Sequence, residues 1–345
     1  MKASPFGYLE RRVVMNQLLE SVVGHGRLAC RLTENADVDA QAGALIYQSW
    51  DQRYDQLSGG RFCGSLEEMS FPSFTLIRET SNRVILQKGC TPEGVFAIGA
   101  LMTTGGSGFH CGELMATHTA ALLEPGTEFE IRTPEIFDLI AAVFSPSDLA
   151  RNLDDPGFDH LELEQELRRS CKTIGPSNTS QLTDFLRRVY ECGKSAADHM
   201  MIPSNLRQLE EEFYSILIEL LRTSRGPETH AVCPNRERIV RRFRSLLDAS
   251  PESALSIVNI CDEIGVTRRT LQNATQEVFG ISPQHYLKAI RLNAFRRALK
   301  VREPQRESIG DVAARWGFWH LSQLAQDYRK LFGELPSQTP CVHIS

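Results

Sequence analysis

Long hydrophobic runs are missing from this sequence. The longest apolar stretch, Leu139 to Phe144, is far shorter than the roughly 18 consecutive residues that a membrane-spanning helix needs. The beginning of the chain, MKASPFGYLERR, lacks the apolar core of a signal peptide. These two absences exclude a membrane-spanning protein and predict a cytoplasmic location.

Closely paired cysteines and phosphate-binding loops are also missing. The nine cysteines are odd in number, scattered, and never spaced as C-x-x-C, which argues against a disulfide framework and a zinc knuckle. The glycine-rich segment TTGGSGF lacks the Lys-Ser/Thr ending of a phosphate loop. We therefore expect reduced thiols and predict no cofactor.

Charge is present in both signs but is unevenly distributed. Residues 236–332 contain 17 Lys and Arg against 10 Asp and Glu, whereas the rest of the chain contains 21 against 33. A basic segment on an acidic body is the asymmetry expected when one domain binds phosphates and the other does not. On charge alone, a solvated helical surface without a partner remains the alternative.

Short apolar runs bounded by turn residues dominate residues 62–144. They recur at intervals of roughly ten residues, the spacing of an antiparallel barrel or sandwich. No long helical pattern is interleaved with them, which disfavours a parallel sheet. The predicted strands are FTLIRET, RVILQKG, GVFAIGALM, AALLEPG, TEFEIRT and FDLIAAVF. Residues 1–45 show no strong periodicity and are interpreted as a poorly specified leader.

The hydrophobic period becomes helical after Pro146. One helix is predicted around Phe185, and another over residues 204–221 carries a broad apolar stripe. This stripe packs against its own domain or forms a dimer seam between two helices, and we take it as the candidate dimer contact. Its residues are Leu206, Leu209, Phe213, Ile216 and Leu220. The polar stretch TSRGPETHAVCPN that follows is predicted to be an interdomain linker.

A helix-turn-helix pattern lies in SIVNICDEIGVTRRTLQNATQEVF. The small Cys261 lets two helices cross closely, Gly265 supplies the turn, and Thr267 caps the second helix. Leu271 and Val278 are predicted to face the core. Arginine can bind guanine, and Gln or Asn can bind adenine, in a major groove wide enough for a helix. The predicted base-reading side chains are Arg268, Arg269, Gln272 and Asn273.

The same pattern returns in SIGDVAARWGFWHLSQLAQDYRKLF. Ser308 and Asp311 form a predicted capping box, and Gly317 supplies the turn. Between the motifs lies a helix with Ser282 as its cap and Pro283 at its first position, spanning about 25 Å. Two recognition helices held in this way can reach neighbouring major grooves, ~34 Å apart. The outward side chains of the second recognition helix are Ser322, Gln323, Gln326 and Arg329.

Two such motifs joined by a capped basic helix resemble the DNA-binding domain of the AraC/XylS family of bacterial transcription regulators. The resemblance covers residues 236 to about 336, and the ending L-P-S-Q keeps only part of the family pattern. It implies promoter DNA, RNA polymerase and a second copy of the chain as partners. The matching segments are G-V-T-R-R-T-L from Gly265, F-G-I-S-P from Phe279, R-L-N-A-F-R-R-A-L from Arg291 and W-G-F-W-H-L-S-Q-L from Trp316.

The sequence also resembles one branch of that family, the regulators of ethanolamine utilisation operons. The similar segments are S-W-D-Q-R-Y-D-Q-L from Ser49, P-G-T-E-F-E-I-R-T-P from Pro125 and W-G-F-W-H-L-S-Q-L. Regulators of that branch respond to ethanolamine and a cobalamin, but the D-x-H-x-x-G signature of a lower-ligand cobalamin site is missing here. The effector therefore stays open, and quorum-sensing or virulence programmes are alternatives.

The strand-rich region of such a regulator would resemble a cupin barrel, so signs of metal binding or catalysis matter. His110, Cys111, Glu113 and His118 are close in sequence, but adjacent residues such as His110 and Cys111 point to opposite faces of a strand. Cys90 lacks the glycine of a nucleophile turn and a recognisable partner histidine. We predict no metal site and no enzyme. A cupin-type enzyme tethered to DNA and an architectural DNA-binding protein are the alternatives.

These observations predict an α+β protein with two domains. Residues 1–145 would form a leader and a cupin-like antiparallel β-barrel, 146–223 dimerisation helices, 224–234 a linker, and 235–345 an all-α domain with two helix-turn-helix motifs. The expected function is sequence-specific regulation of transcription, as an activator under the control of a small-molecule effector.

Overall fold

The computed structural model describes residues 28–46, 50–103, 106, 108–117, 119–148, 173–175, 179–223, 234–249 and 255–341. Residues 1–27 of the predicted leader, most of the predicted linker, and His118 lie outside the described residues. None of the described helices is long and apolar enough to cross a membrane.

The N-terminal half folds into two antiparallel β-sheets that form a sandwich. Seven of the described strands form one sheet, in the order β1-β3-β4-β11-β6-β9-β12, and five form the other, in the order β2-β5-β10-β7-β8. Helix α1 (Val38–Ile46) lies between β1 and β2 in sequence. The strands are β1 (Ala29–Asn35), β2 (Asp51–Gln56), β3 (Gly64–Ser70), β4 (Phe74–Ser81), β5 (Ile85–Cys90), β6 (Phe96–Leu101), β7 (Gly108–His110), β8 (Glu113–Met115), β9 (Ala120–Leu123), β10 (Glu128–Arg132), β11 (Phe137–Phe144) and β12 (Thr173–Ile174).

The predicted strands are confirmed, but two expectations about this half are wrong. All six predicted runs form strands, namely β4, β5, β6, β9, β10 and β11. Among the described strands, none is hydrogen-bonded into both sheets, so the barrel is not closed. Residues 29–46 form β1 and α1 instead of a poorly specified leader. Among the described strands, β1 pairs with β3 alone, at the edge of the sheet. It buries little surface, so its sequence carries a weak periodic signal.

Three described helices follow the sheets: α2 (Ser180–Ser195), α3 (Ala197–Met200) and α4 (Pro203–Thr223). The apolar face of α4 packs against the seven-stranded sheet and against α2. The ring of Phe213 lies 4.7 Å from that of Phe74, 5.6 Å from that of Phe144 and 5.8 Å from that of Phe185, measured between ring centroids. Helix α4 thus forms part of the core of its own domain.

The candidate dimer stripe on α4 is largely used within this domain. Phe213 and Leu220 are buried, and Leu206, Leu209 and Ile216 are partly buried against the same core. The packing alternative that the sequence left open is therefore the one realised for Phe213 and Leu220, which are not available for a seam. A dimer contact through α4 stays a prediction, carried by the three partly buried residues.

Six described helices form the C-terminal domain: α5 (Pro234–Ala249), α6 (Ile257–Ile264), α7 (Arg268–Phe279), α8 (Pro283–Val301), α9 (Ile309–Arg315) and α10 (Leu321–Phe332). Their shared core contains the buried aromatic side chains of Phe243, Tyr286 and Phe295. Leu57 and Leu86 from the β-sandwich belong to the same core. The two domains therefore pack directly against each other.

Candidate nucleic-acid interface

Helices α6 and α7 form the first helix-turn-helix motif. Ser256 and Asn259 form a capping box at the start of α6. Gly265 ends this helix with a φ of 75°, in the left-handed region that residues with a side chain rarely adopt. The Thr267 hydroxyl accepts a hydrogen bond of 3.1 Å from the backbone amide of Thr270 and caps α7. The turn and the cap predicted from the sequence are confirmed.

Helix α7 buries one face and exposes the other. Leu271 and Val278 lie in the core, as the sequence predicts. The four predicted base-reading side chains are all exposed and share the outward face, so the structure brings them together. That face consists of Arg268, Arg269, Gln272, Asn273 and Gln276. Sequence reasoning missed Gln276, although its position four residues after Gln272 was a usable signal. Contact of these side chains with DNA stays a prediction.

Helices α9 and α10 repeat this arrangement. The Ser308 hydroxyl accepts a hydrogen bond of 3.1 Å from the Asp311 amide, and the Asp311 carboxylate accepts one of 2.9 Å from the Ser308 amide. Hydrogen bonding from Ser308 holds the pKa of Asp311 below its ordinary value. Gly317 forms the turn with a φ of 77°. The predicted outward side chains are exposed on α10, namely Ser322, Gln323, Gln326 and Arg329.

Helix α8 separates the two motifs. The Ser282 hydroxyl accepts a hydrogen bond of 3.2 Å from the His285 amide, and Pro283 occupies the first helical position, as predicted. The 19 residues of α8 span about 28 Å at ~1.5 Å per residue. Leu292 and Phe295 bury its inner face in the core. The helix is therefore a rigid spacer of nearly the predicted length.

Arg297 of α8 faces the β-sandwich. Its Nη2 donates a hydrogen bond of 2.7 Å to Asp55 Oδ1, and its Nη1 lies 3.4 Å from Asp39 Oδ1. The side chain of Asp55 is completely buried. A buried carboxylate needs a paired cation, because removing a charge from water is costly. Arg297 therefore has a structural partner within the chain.

The neighbouring cations of α8 also pair with the β-sandwich. Arg296 Nη1 lies 2.6 Å from Asp37, and Lys300 Nζ lies 2.6 Å from Asp37 and 2.5 Å from Asp39. Burial raises the pKa of Asp37, but the positive charges of Arg296 and Lys300 outweigh burial and hold that pKa below its ordinary value. This geometry gives Arg296 and Arg297 a structural role within the chain.

These contacts show that the basic residues of the C-terminal domain fall into two groups, those paired with other described residues and those without an ion pair among them. Arg244 of α5 forms an ion pair with Glu130 of β10. Part of the basic charge of the C-terminal domain therefore neutralises the acidic β-sandwich. By contrast, Arg268, Arg269 and Arg329 form no ion pair with the described part of the chain. The arginines of the recognition helices thus remain available for an outside partner.

His110, a candidate metal ligand that the sequence argued against, lies in the interior of the protein beside Thr173. It is buried, and its Nδ1 lies 3.3 Å from Thr173 Oγ1. Burial lowers the pKa of His110 to about 4, which keeps the ring neutral. The carboxylate of Glu113 accepts a hydrogen bond of 3.1 Å from the Thr173 amide. No cluster of potential metal ligands occurs among the residues that the structure describes. His110 and Glu113 thus connect β7 and β8 to β12.

Known proteins resemble parts of this chain. A family model described as a helix-turn-helix domain matches residues 260–340. The chain is 34% identical over 100 residues to a probable thc operon regulatory protein of Rhodococcus erythropolis, covering 29% of this chain and 30% of that protein. It is 29% identical over 173 residues to a XylDLEGF operon transcriptional activator of Pseudomonas putida, covering 50% of this chain and 53% of that protein.

The solved structure of the AraC-like transcriptional activator CuxR matches 76% of this chain and 94% of its own, with 13% identity and a TM-score of 0.44. The present chain spans between about a third and about half of the length of the two curated relatives. Those relatives are named as operon regulators and not as enzymes. Residues 260–340 of this chain therefore match a helix-turn-helix domain family.

Proposed function

We propose that this protein is a transcription regulator that reads promoter DNA with α7 and α10. The observation that carries the proposal is the pair of exposed polar helix faces. Each face belongs to a helix-turn-helix motif, and α8 joins the two motifs. Such faces fit the major groove, where arginine and amide side chains distinguish base pairs. The family match over residues 260–340 supports this assignment.

The β-sandwich is proposed to be the sensory domain. It contacts α8 through ion pairs and buried hydrogen bonds, so a small-molecule effector bound to the sandwich has a physical route to the DNA-binding domain. The resemblance to ethanolamine regulators makes activation of an ethanolamine-type catabolic operon the first pathway to test. Quorum-sensing or virulence genes are the alternative. The proposal places the protein in the cytoplasm as a homodimer that contacts RNA polymerase.

The experiment is selection of duplexes from a randomised pool by the intact protein, followed by affinity measurements on the selected duplex over a range of salt concentrations. Six to eight phosphate contacts predict a slope of about −5 to −7 for log K against log salt. The control variant is Arg306→Ala, because Arg306 is exposed beyond α8 and pairs with Glu303. Absence of sequence enrichment by the intact protein would contradict the proposal.

A further inference from the structure

The two recognition helices have the same length but open with different chemistry. Helices α7 and α10 both contain 12 residues and both end at a phenylalanine followed by a left-handed glycine. The first two residues of α7 are Arg268 and Arg269, whereas the first two of α10 are Leu321 and Ser322. The first turn of α7 is therefore cationic, and the first turn of α10 carries no charge.

An exposed tryptophan precedes α10. Trp319 is 73% exposed, the highest value among the exposed large apolar side chains of the described chain, and Leu321 is 53% exposed. No hydrogen bond joins the Trp319 indole to the residues that the structure describes. The other two tryptophans, Trp50 and Trp316, are buried and half-buried. Trp319 and Leu321, two residues apart, thus present apolar surface that the described part of the chain leaves uncovered.

The position of this surface indicates what covers it. It lies at the amino end of α10, directly before the exposed polar residues Ser322 and Gln323. The amino-terminal residues of a recognition helix are those that contact base edges in the major groove. The C5-methyl group of thymine is the apolar feature of that groove, and apolar side chains pack against it. A phosphate oxygen accepts a hydrogen bond from an indole N–H but offers no packing partner to the aliphatic side chain of Leu321, whereas a methyl group packs against both side chains.

We propose that Trp319, supported by Leu321, packs against a thymine C5-methyl group in the half-site that α10 reads. This inference rests on the proposed function, because it assumes that α10 enters the major groove. It makes the two half-sites chemically different. The half-site of α7 contains guanine opposite an arginine, and the half-site of α10 contains thymine, with adenine available to Gln323 and Gln326.

The test is a double-mutant cycle, in which the methyl group is removed from the DNA and the indole from the protein, separately and together. The probe is the duplex selected by the intact protein, with each thymine replaced in turn by deoxyuridine, which lacks only the C5-methyl group. Binding is measured by fluorescence anisotropy at one salt concentration for the natural protein, Trp319→Ala and Leu321→Ala. The control is Ile136→Ala, because Ile136 is 63% exposed on the β-sandwich.

The proposal predicts that Trp319→Ala weakens binding about tenfold, the scale of one base-edge contact, and that Leu321→Ala weakens it less. Deoxyuridine at one or two positions of a single half-site should weaken the natural protein by a similar factor and leave Trp319→Ala unaffected. Ile136→Ala should behave as the natural protein does. Full affinity of Trp319→Ala for the selected duplex overturns the thymine contact but not the proposed function. The same conclusion follows if, at every thymine position, the loss of affinity from deoxyuridine is as large for Trp319→Ala as for the natural protein. Failure of the natural protein to select any duplex overturns the proposed function as well.

Discussion

Gln56 and Asn293 exchange two hydrogen bonds across the boundary between the domains. The backbone amide of Gln56 donates to Asn293 Oδ1, and Asn293 Nδ2 donates to the backbone carbonyl of Gln56, both at 2.9 Å. The Gln56 side chain also donates a hydrogen bond of 2.6 Å to the backbone carbonyl of Leu331, near the end of α10. One residue at the end of β2 therefore contacts both the spacer helix and the second recognition helix.

Asn293→Ala is expected to loosen this contact. The substitution leaves the buried amide and carbonyl of Gln56 without their partner, and each unsatisfied group costs about 1–3 kcal/mol. We expect the free energy of unfolding to fall by about 2–4 kcal/mol in urea titrations, with faster hydrogen exchange at the Gln56 amide. Asn273→Ala is the control, because Asn273 is exposed. Unchanged exchange at Gln56 would show that this pair does not hold the domains together.

Arg297→Ala tests whether α8 uses its cations for structure or for phosphates. Removal of the guanidinium leaves Asp55 buried, with Arg53 at 3.5 Å as its remaining cation. We expect the free energy of unfolding to fall by about 3 kcal/mol, against less than about 0.5 kcal/mol for Arg306→Ala. A phosphate-binding role would instead leave the unfolding transition unchanged and reduce the salt slope of DNA binding by about one.

Arg269→Ala is expected to relax specificity at one position of the selected duplex. Arg269 is exposed near the start of α7, where a guanidinium can bind guanine bidentately. The binding free energy should weaken by about 1–3 kcal/mol for the duplex with the preferred base pair at that position, and by less for the duplexes with the other three base pairs. The measurement is a set of affinities for duplexes substituted at each position. An unchanged base preference would mean that another face of α7 meets the DNA.

His110→Gln is expected to flatten the dependence of stability on pH. Burial lowers the pKa of His110 to about 4, whereas an unfolded histidine has a pKa of about 6.5. As the pH falls, the unfolded chain therefore takes up the proton before the folded chain does. The free energy of unfolding decreases by about 2 kcal/mol as pH falls from 7.5 to 5. Glutamine cannot take up this proton, and urea titrations at both pH values should show the smaller loss. The same loss in both proteins would contradict the assignment of a neutral buried ring.

Two charged substitutions on α4 separate core packing from dimerisation. Leu220→Lys places a charge in the core and should strongly destabilise the N-terminal domain. Leu209→Lys changes a partly buried residue and is expected to yield a folded monomer in sedimentation experiments. Gln208→Lys, on the exposed side of α4, should leave the oligomeric state unchanged. A folded Leu209→Lys dimer would place the dimer contact elsewhere.

The DNA-binding motifs were the most predictable part of the fold, because their signals act over a few residues. Gly265 and Gly317 form turns through their own backbone conformation, and Thr267 and Ser308 cap helices through amides three residues away. The edge strand β1 was missed, since its exposed faces lack the alternation that marks a half-buried strand. Trp319 was missed as a candidate site residue, because exposure beside a turn cannot be read from the sequence.

The sequence by itself determined the two helix-turn-helix motifs, their outward polar faces, six of the twelve described strands and the opposite charges of the two halves, all of which follow from local pattern and composition. Only the tertiary structure determined what the apolar stripe of α4 and the cations of α8 contact. An apolar stripe serves a core or a seam equally well, and only the position of Phe74 and Phe144 placed Phe213 in a core. Arg297 meets Asp55 from 242 residues away, so a side chain suited to phosphate holds two domains together because the fold brings a buried carboxylate to it.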